Sequence, residues 1–524
     1  MLGGISIYIK CAAAGVWFLG VIVMEHIFLA FAQIMTPEVF IFLFTGVFVG
    51  LAVGSIPGIN DTVTLAVLIP ISFTLEPASA FMLLVGVYCS ACYGGSIPAI
   101  LLKIPGTASS VVTLLDGHPM TQQGKAGKAL GISTASSVFG GLASALVLMF
   151  FAPALAVYAL KFGPAEYCAL AILGFSTVAG LSGNNVLKSL IVCTLGLFVS
   201  TIGLSPQTGY PRYALGSVWL YEGVPFVPML IGLFGVASVF NMVEKMVVSH
   251  NQTIKESSIP EVGRIIPSFK MVKRLMPTWL TSTAIGNIIG IIPGAGMLMA
   301  IYLSYGQAVR SNKDKEFGTG VPEGIAAPEA ANNAVVASSM VPLLSLGVPG
   351  NATSALFLGA LMIQGFRPGP ALFDKAPDVA YLIIVGFFVA NLIMAPLGLL
   401  FSKFLSRAVF KIPQAFLASI VILLCCTGAY AIDNSLFNIW VTLIFGVVGF
   451  VFDKVGLPHA PFVLAIILGS MLERGFSQAL AISQGSYMIF IEKPISLALL
   501  IASLCFVLLP LSKYLIQKIK VRRI

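Results

Sequence analysis

Long apolar runs interrupted by proline and glycine make up most of this chain. A helix crosses a bilayer with about 20 apolar residues, and these runs leave room for roughly ten to twelve spanning or partly spanning helices. Of the 524 residues, 58% are hydrophobic and only 9% are charged, a composition unlike that of a water-soluble domain. The sequence therefore predicts an all-α polytopic membrane protein with no large soluble domain.

The 52 glycines and 30 prolines often lie inside the apolar runs. Non-helical backbone facing lipid would cost several kcal/mol for each unsatisfied polar group, so such breaks must face protein or an enclosed cavity. This combination predicts Pro-Gly broken helices or re-entrant hairpins.

The most hydrophilic stretch, 244–278, divides the chain into two halves. Because it is rich in Lys and Arg, we expect it to be a cytoplasmic connector, and the basic C-terminal tail should also be cytoplasmic. The predicted units are an extra apolar segment (1–23), a first transmembrane repeat (24–243), the connector, and a second transmembrane repeat with the tail (279–524). The extra segment is read as an uncleaved anchor or an upstream start, with Met24 as the natural start.

The net charge of +9 does not indicate a nucleic-acid partner, since the basic residues lie in short loops and at the C-terminus. Cys89 and Cys92 form a C-x-x-C within an apolar run, where buried small residues are expected. The four histidines have no metal-ligand spacing. We therefore expect neither a metal enzyme nor catalytic residues.

Two Pro-Gly motifs occur in the same order in both halves. GSIPGIND (54–61) matches GIIPGAGM (290–297), and KIPGTASS (103–110) matches GVPGNATS (347–354). Ordinary turns between helices are the alternative explanation, but turns at a membrane surface are usually flanked by charge, and these motifs lie between apolar runs. The pattern favours an internal repeat whose interrupted helices meet near the midplane, as in secondary transporters.

Residues after each break can start a new helix, whose exposed amides and positive dipole suit a carboxylate. Hydroxyl and amide side chains add directional hydrogen bonds. The predicted substrate-binding residues are Asn60, Asp61, Thr62, Lys103, Gly106, Thr107, Ser109, Ser110, Gly350, Asn351, Thr353 and Ser354. Lys103 either points inward, toward Asp61 or a substrate carboxylate, or snorkels from a helix end.

A cation site is expected beside the substrate, because carbonyl and carboxylate oxygens suit a hard monovalent cation. The predicted ligands are Pro57, Gly58, Pro293, Gly294, Glu329, Asn332 and Asn333. Glu323, in the same EGIAAPEAANNA segment, is as well explained by the solvated face of an interfacial helix. A sodium ion is the only bound cofactor considered.

Two long stretches carry a family resemblance: YGGSIPAILLKIPGTASSVVTLLDGHPMTQQGKAGKALG (93–131) and FGTGVPEGIAAPEAANNAVVASSMVPLLSLGVPGNATSALFLGALMIQGFRPGPALF (317–373). They closely resemble the large membrane subunit of the tripartite tricarboxylate transporters, the TctA family. The similarity extends over nearly the whole chain from Met24, including FGPAEYCAL and GLPHAPFVLAIILGSMLE.

The resemblance implies a multi-pass secondary transporter of the bacterial inner membrane. It would work with a small membrane subunit and a periplasmic solute-binding protein that delivers a carboxylate: a tricarboxylate, a dicarboxylate or a related organic acid. Uptake would be driven by a sodium or proton gradient. The resemblance also implies that the four Pro-Gly regions surround the substrate and ion sites.

Three positions depart from the family's usual pattern. Ile59-Asn60-Asp61 replaces the Leu-Gly that usually follows the first Pro-Gly, Lys103 replaces a common Asn, and Ser205 stands where Asp is frequent. Because of these departures, the sequence does not identify which carboxylate is transported. The alternative functions are a membrane-embedded enzyme, for which no nucleophile, acid pair or metal cluster is evident, and a channel for small organic anions.

Overall fold

The computed structural model describes residues 23–56, 59–181, 186–248, 262–405 and 414–521. Of the predicted extra segment, only Val23 is among them. Pro57 and Gly58, which were predicted to bind a cation, also lie outside the described residues.

The described residues of the first half form eleven helices. They are α1 (Val23–Ile34), α2 (Pro37–Gly54), α3 (Asp61–Phe73), α4 (Pro77–Gly94), α5 (Ser96–Leu102), α6 (Thr113–Gln122), α7 (Ala126–Ala159), α8 (Pro164–Leu181), α9 (Val186–Ser200), α10 (Phe226–Leu230) and α11 (Ala237–Val248). A π-helical segment, Ile231–Val236, joins α10 to α11, and a 3-10 turn, Ala108–Ser110, precedes α6. Between α9 and α10 lie a two-stranded hairpin, β1 (Gly203–Leu204) with β2 (Pro211–Arg212), and a 3-10 turn, Val218–Leu220.

The second half repeats this order. It contains α12 (Phe269–Ile291), α13 (Gly296–Ser311), α14 (Pro322–Ser338), α15 (Met340–Leu346), α16 (Ala352–Ile363), α17 (Pro370–Lys375), α18 (Pro377–Leu400), α19 (Gln414–Asp433), α20 (Leu436–Val455), α21 (His459–Ile482), α22 (Ile489–Glu492) and α23 (Pro494–Val521). A π-helical segment, Phe401–Leu405, follows α18. The Ser268 side chain caps the start of α12 by accepting from the Met271 amide. Since α12 begins at Phe269, the last ten residues of the predicted connector (244–278) are part of this helix.

In the described part of the chain, eight helices are long and apolar enough to cross a membrane. Five shorter apolar helices accompany them, among them α3 and α16. The predicted all-α polytopic fold is therefore confirmed, and two of the shorter helices, α3 and α16, follow Pro-Gly breaks.

Matching breaks have the same local geometry in the two halves. α5 ends at Lys103 with φ 61°, and α15 ends at Gly347 with φ 74°. After the break, the Thr107 side chain caps the next turn together with Ser110, and Asn351 caps α16 together with Ser354. The sequence repeat is thus a structural repeat, in which α2–α7 correspond to α12–α16 and α18.

Small residues let paired helices approach closely within each repeat. Gly46, Gly50 and Gly54 of α2 lie against the backbone of α4 near Leu83, Val87 and Ala91, respectively. The residue numbers of the contacting pairs rise together along both helices, so α2 and α4 run parallel. The chain between them, which includes α3, must therefore run back in the opposite direction. In the second repeat, Gly286 and Gly290 of α12 contact α14 in the same way, near Ala331 and Val335.

We expect Gly50→Ala to destabilise the protein by about 1–3 kcal/mol, because the new methyl group overpacks the helix contact. Its carbon would lie 2.7 Å from the Val87 carbonyl oxygen, which is backbone and cannot rotate away. The matched control is Gly306→Ala, since no atom lies within 4 Å of the methyl group there. Thermal unfolding in detergent should show a lower melting temperature for Gly50→Ala alone; equal melting temperatures would contradict this packing.

The two repeats are inverted relative to each other. α14 is the second repeat's counterpart of α4, and three contacts fix its direction relative to α4–α5. Ser96 contacts Glu329, the Cys92 carbonyl accepts from Asn332, and Tyr88 contacts Ser339. One set of numbers falls as the other rises, so the corresponding helices run antiparallel and cross at the centre of the protein.

The remaining long helices form two peripheral groups, each drawn from both halves. One group packs α8 and α9 against α21 and α23, and the other packs α11 and the first π-helical segment against α19 and α20. α3 contacts the second group through α19, and α16 contacts the first through α21. Each short helix that follows a break is therefore held between the central helices and a peripheral group.

Candidate functional site

The N-termini of α3 and α16, one from each repeat, meet inside the protein. The Thr353 hydroxyl donates to Asp61 Oδ2 at 2.6 Å and lies 2.9 Å from the Thr62 hydroxyl. All three side chains are buried, with Asp61 8% exposed. Asn60 caps α3 by accepting from the Val63 amide at 2.8 Å. The structure thus brings Thr353 to the consecutive residues Asn60, Asp61 and Thr62, from which it is far apart in the sequence.

Asn351 connects this cluster to α4. Its side-chain oxygen accepts from the Ser354 amide at 2.8 Å, and its side-chain nitrogen donates to the Tyr88 hydroxyl at 2.9 Å. Tyr88 also lies 3.0 Å from the Ser339 hydroxyl. The Ser354 hydroxyl accepts from the Asn351 amide and donates to the Asn351 carbonyl, both at 2.9 Å. Ser354 therefore shapes the helix start, and Thr353 is the residue that faces Asp61.

The other breaks lie against this pair. A methyl group added at Gly106 would lie 2.8 Å from the Gly54 carbonyl oxygen, and one added at Gly350 would lie 2.7 Å from the Gly290 carbonyl oxygen. The Gly294 amide donates to the Gly350 carbonyl at 3.0 Å. In each repeat the second break therefore packs on the first, and glycine is required there for the close approach.

Hydroxyl groups line the break after α5. The hydroxyls of Thr107 and Ser109 lie 2.9 Å apart, and Ser110 donates to the Thr107 carbonyl at 2.8 Å. All three residues are buried. At the first break of the second repeat, after α12, the Pro293 carbonyl accepts from Thr177 of α8 at 2.6 Å. The two halves of the site differ, because Asp61 contacts the start of α16 in one half, while hydroxyl groups and a backbone carbonyl line the breaks of the other.

Lys103 is exposed and has no ion pair with Asp61 among the described residues. It holds the left-handed conformation that Gly347 holds in the other repeat. A left-handed residue with a side chain costs about 1–2 kcal/mol, and Asn tolerates this conformation better than Lys. This explains in physical terms why an Asn suits the position.

Glu329 lies in a cage of hydroxyl groups at the crossing of the repeats. It is fully buried and accepts from Ser96, Thr113 and Ser137, the last at 2.8 Å. These donors come from α5, α6 and α7, so the carboxylate of one repeat is bound entirely by the other. No basic side chain forms an ion pair with Glu329 in the described part of the chain.

Asn332 and Asn333 follow Glu329 on α14, and both are buried. The Asn332 amide nitrogen donates to the Cys92 carbonyl at 3.3 Å. The side-chain oxygens of Asn332 and Asn333 have no hydrogen-bond partner in the described structure. Unpaired buried amide oxygens beside a carboxylate are the kind of ligand that a hard cation takes. No group of three or more His, Cys, Asp or Glu able to hold a metal ion occurs among the described residues.

Glu323 is neither a ligand candidate nor solvated. It is 2% exposed and forms a two-point ion pair with Arg274, at 2.7 and 3.0 Å, and a second pair with Lys315 at 2.9 Å. These pairs tie the start of α14 to α12 and to the loop before α14, so the solvated-face interpretation of Glu323 is wrong.

Several polar residues in and around the site were not singled out from the sequence. Tyr88, Ser96, Thr113, Ser137 and Ser339 are single polar residues in apolar helices, where no spacing pattern marks them. Asp116 gave a clearer signal, an acidic residue within an apolar run. Its buried carboxylate accepts from the amides of Gly318, Gly320 and Val321 at 2.8–3.0 Å, so it anchors the loop between α13 and α14.

Inverted repeats whose broken helices meet at a buried polar site are an arrangement that many membrane transporters use. Comparison with known proteins agrees with this class. The sequence profile of the tripartite tricarboxylate transporter TctA family matches residues 40–464. The chain belongs to this family and is a multi-pass membrane protein of a transport system.

Two curated relatives come from Agrobacterium vitis. One is described as an uncharacterized 52.8 kDa protein in the TAR-I ttuC' 3'region, and it is 36% identical over 493 residues, 93% of this chain and 96% of the relative. The other is described as an uncharacterized protein in the TAR-II ttuC' 3'region, and it is 36% identical over 233 residues, 43% of this chain and 93% of the relative. No solved structure matches the chain.

Proposed function

We propose that this protein is the large membrane subunit of a cation-coupled importer for a carboxylate, which a periplasmic solute-binding protein delivers. The observation that carries the proposal is the meeting of α3 and α16 at Asp61 and Thr353. α3 has 13 residues and α16 has 12, so each has a helix dipole with its positive end at the N-terminus. One of these N-termini belongs to the first repeat and the other to the second. Two such ends facing one buried position favour an anionic ligand.

The carboxylate would bind between the breaks. Asn60, Thr62 and Thr353 offer side-chain donors on one side, and Thr107 and Ser109 offer hydroxyls on the other. Gly106 and Gly350 would let the backbone approach the ligand. A movement of the breaks relative to the peripheral groups would expose this position to each side of the membrane in turn.

A bound cation would offset the negative charges of the Asp61 carboxylate and the substrate carboxylate. In its ionised form Asp61 would present a like charge to a substrate carboxylate until a cation or proton neutralises it. Glu329, with the unpaired oxygens of Asn332 and Asn333, is a second position for the coupling ion. Sodium and protons both satisfy this chemistry.

The family supports the proposed partners and location. A tripartite system would include a small membrane subunit and a periplasmic binding protein, and this chain would then lie in a bacterial inner membrane. The basic connector and C-terminal tail would then face the cytoplasm.

The test is uptake in proteoliposomes that contain this chain and the small subunit, with the binding protein outside. Labelled tri- and dicarboxylates are supplied with a sodium gradient, a proton gradient, or neither. We expect one carboxylate to accumulate only when a gradient is present. Accumulation indifferent to both gradients would contradict coupling, and a flux that rises linearly without saturation would indicate a channel.

A further inference from the structure

A cavity of about 740 Å³ lies between the first peripheral group and the second repeat. Its walls come from α8, α9, α15, α16, α21 and the loop before α10. Leu346 and Gly347 line it, and they directly precede the break that leads to Asn351 and Thr353. The cavity is within the size range of small-molecule sites, and its wall leads along the chain into that break.

The cavity opens at the end of the protein opposite the connector. Phe226, at the start of α10, lines it, and the same continuous helical stretch ends at Val248, just before the connector. Because the stretch crosses the membrane once, the cavity and the connector lie on opposite sides. With the connector in the cytoplasm, the cavity faces the periplasm, from which the substrate would come.

Arg474 is the basic residue in the cavity wall, and the described structure gives its charge no carboxylate partner. Its Nε donates to the Ser470 carbonyl at 3.2 Å, one turn earlier on α21. The neighbouring Glu473 is already paired with Arg212 of β2, at 2.7 and 3.1 Å. That hydrogen bond raises the pKa of Arg212, so the pair stays charged and Glu473 is not free for Arg474.

Other polar groups surround Arg474. Ser470 and Gln478 lie one turn before and after it on α21, and Tyr167 of α8 also lines the cavity. Glu222, in the loop before α10, is the acidic residue of the wall; it is exposed to solvent and forms no ion pair among the described residues. Arg474 and Glu222 are both exposed to solvent at this wall, and neither has a charged partner among the described residues.

We propose that this cavity is a periplasmic vestibule in which Arg474 binds a carboxylate group of the substrate before it reaches Asp61 and Thr353. The inference rests on the proposed function and adds a second binding position to it. A planar guanidinium forms two parallel hydrogen bonds to a carboxylate, which makes Arg suited to capturing this ligand. Glu222 would oppose the anion and speed its onward movement.

The experiment measures initial uptake of the transported carboxylate at increasing concentrations, with the binding protein in fixed excess. Vesicles are made of phosphatidylcholine, so no anionic lipid competes for the cavity. We expect Arg474→Gln to raise the half-saturating concentration by about tenfold or more, as loss of a charged hydrogen bond predicts, and Arg474→Lys to restore part of it. Glu222→Gln should lower it, and Arg310→Gln, an exposed arginine at the end of α13, should leave it unchanged.

Opposite effects of Arg474→Gln and Glu222→Gln are the signature of an electrostatic role, because a loss of folding would impair both variants alike. If Arg474→Gln had the same half-saturating concentration as wild type, Arg474 would not bind the substrate in the cavity. That result would overturn this inference and leave the proposed function intact. Changes in the same direction in both variants would also overturn it. Absence of carboxylate uptake by the wild-type protein would overturn the proposed function, and this inference with it.

Discussion

Asp61→Asn should abolish gradient-driven accumulation of the carboxylate and leave carboxylate exchange across the membrane intact. Asp61 is buried, and its oxygen accepts from Thr353 at the start of α16. When it is ionised, its negative charge lies where two positive helix ends meet. A substrate carboxylate can approach only when a cation or proton neutralises that charge, and a buried like-charge pair is strongly disfavoured.

The asparagine variant resembles Asp61 in its neutralised state. It keeps a side-chain oxygen for the Thr353 hydroxyl, so α3 and α16 stay connected, but it has no charge for the coupling ion to offset. The measurements are accumulation under an imposed gradient and counterflow of labelled carboxylate into preloaded vesicles. Asp374→Asn, which removes a charge from an exposed residue of α17, is the matched control. Normal accumulation by Asp61→Asn would exclude Asp61 from coupling.

Glu329→Ala should destabilise the protein by about 3 kcal/mol or more, because each buried donor left without an acceptor costs about 1–3 kcal/mol. Ser96, Thr113 and Ser137 would all lose their acceptor. They belong to the first repeat and Glu329 to the second, so the contact between the repeats should weaken. Thermal unfolding in detergent measures this effect.

Glu329→Gln separates stability from coupling. The amide oxygen can still accept, and the hydroxyls can turn to accept from the amide nitrogen, so we expect a much smaller loss of melting temperature. The charge is gone, however, and uptake by Glu329→Gln should no longer depend on the concentration of the coupling cation. Ser137→Ala is the control, since it removes one donor and keeps the carboxylate. Equal melting temperatures for the alanine and glutamine variants would show that the hydroxyl cage contributes little.

The sequence was sufficient to predict the membrane class, the internal repeat and the position of the breaks. These features follow from hydropathy and from proline and glycine, whose backbone effects are local. The capping role of Thr107 and Asn351 could also be anticipated, because both begin a helix after a Pro-Gly. Predictions of this kind depend only on neighbouring residues.

The pairing of residues across the repeats could not be predicted, because it depends on the inversion. Motif matching aligns Pro57 with Pro293 and Pro105 with Pro349, but the side-chain contact at the breaks joins Asp61, after the first break, to Thr353, after the last. The hydroxyl cage of Glu329 has the same origin, since helices of one repeat surround a residue of the other. Lys103 is a different case. Its charge suggested an ion pair, but its structural role is to end α5 in the left-handed conformation, as Gly347 ends α15.

The central claim is that the carboxylate binds where α3 and α16 meet, and ligand-induced stabilisation of Thr353→Ala tests it most directly. A ligand that binds the folded state raises the melting temperature, and at a fixed ligand concentration a tighter ligand raises it more. The matched control is Thr442→Ala, which removes another buried threonine hydroxyl, bonded to the Pro228 carbonyl at 3.0 Å in the second peripheral group. The transported carboxylate should raise the melting temperature of wild type and Thr442→Ala alike and have little effect on Thr353→Ala. Equal stabilisation of all three proteins would place the carboxylate elsewhere and contradict the proposed site.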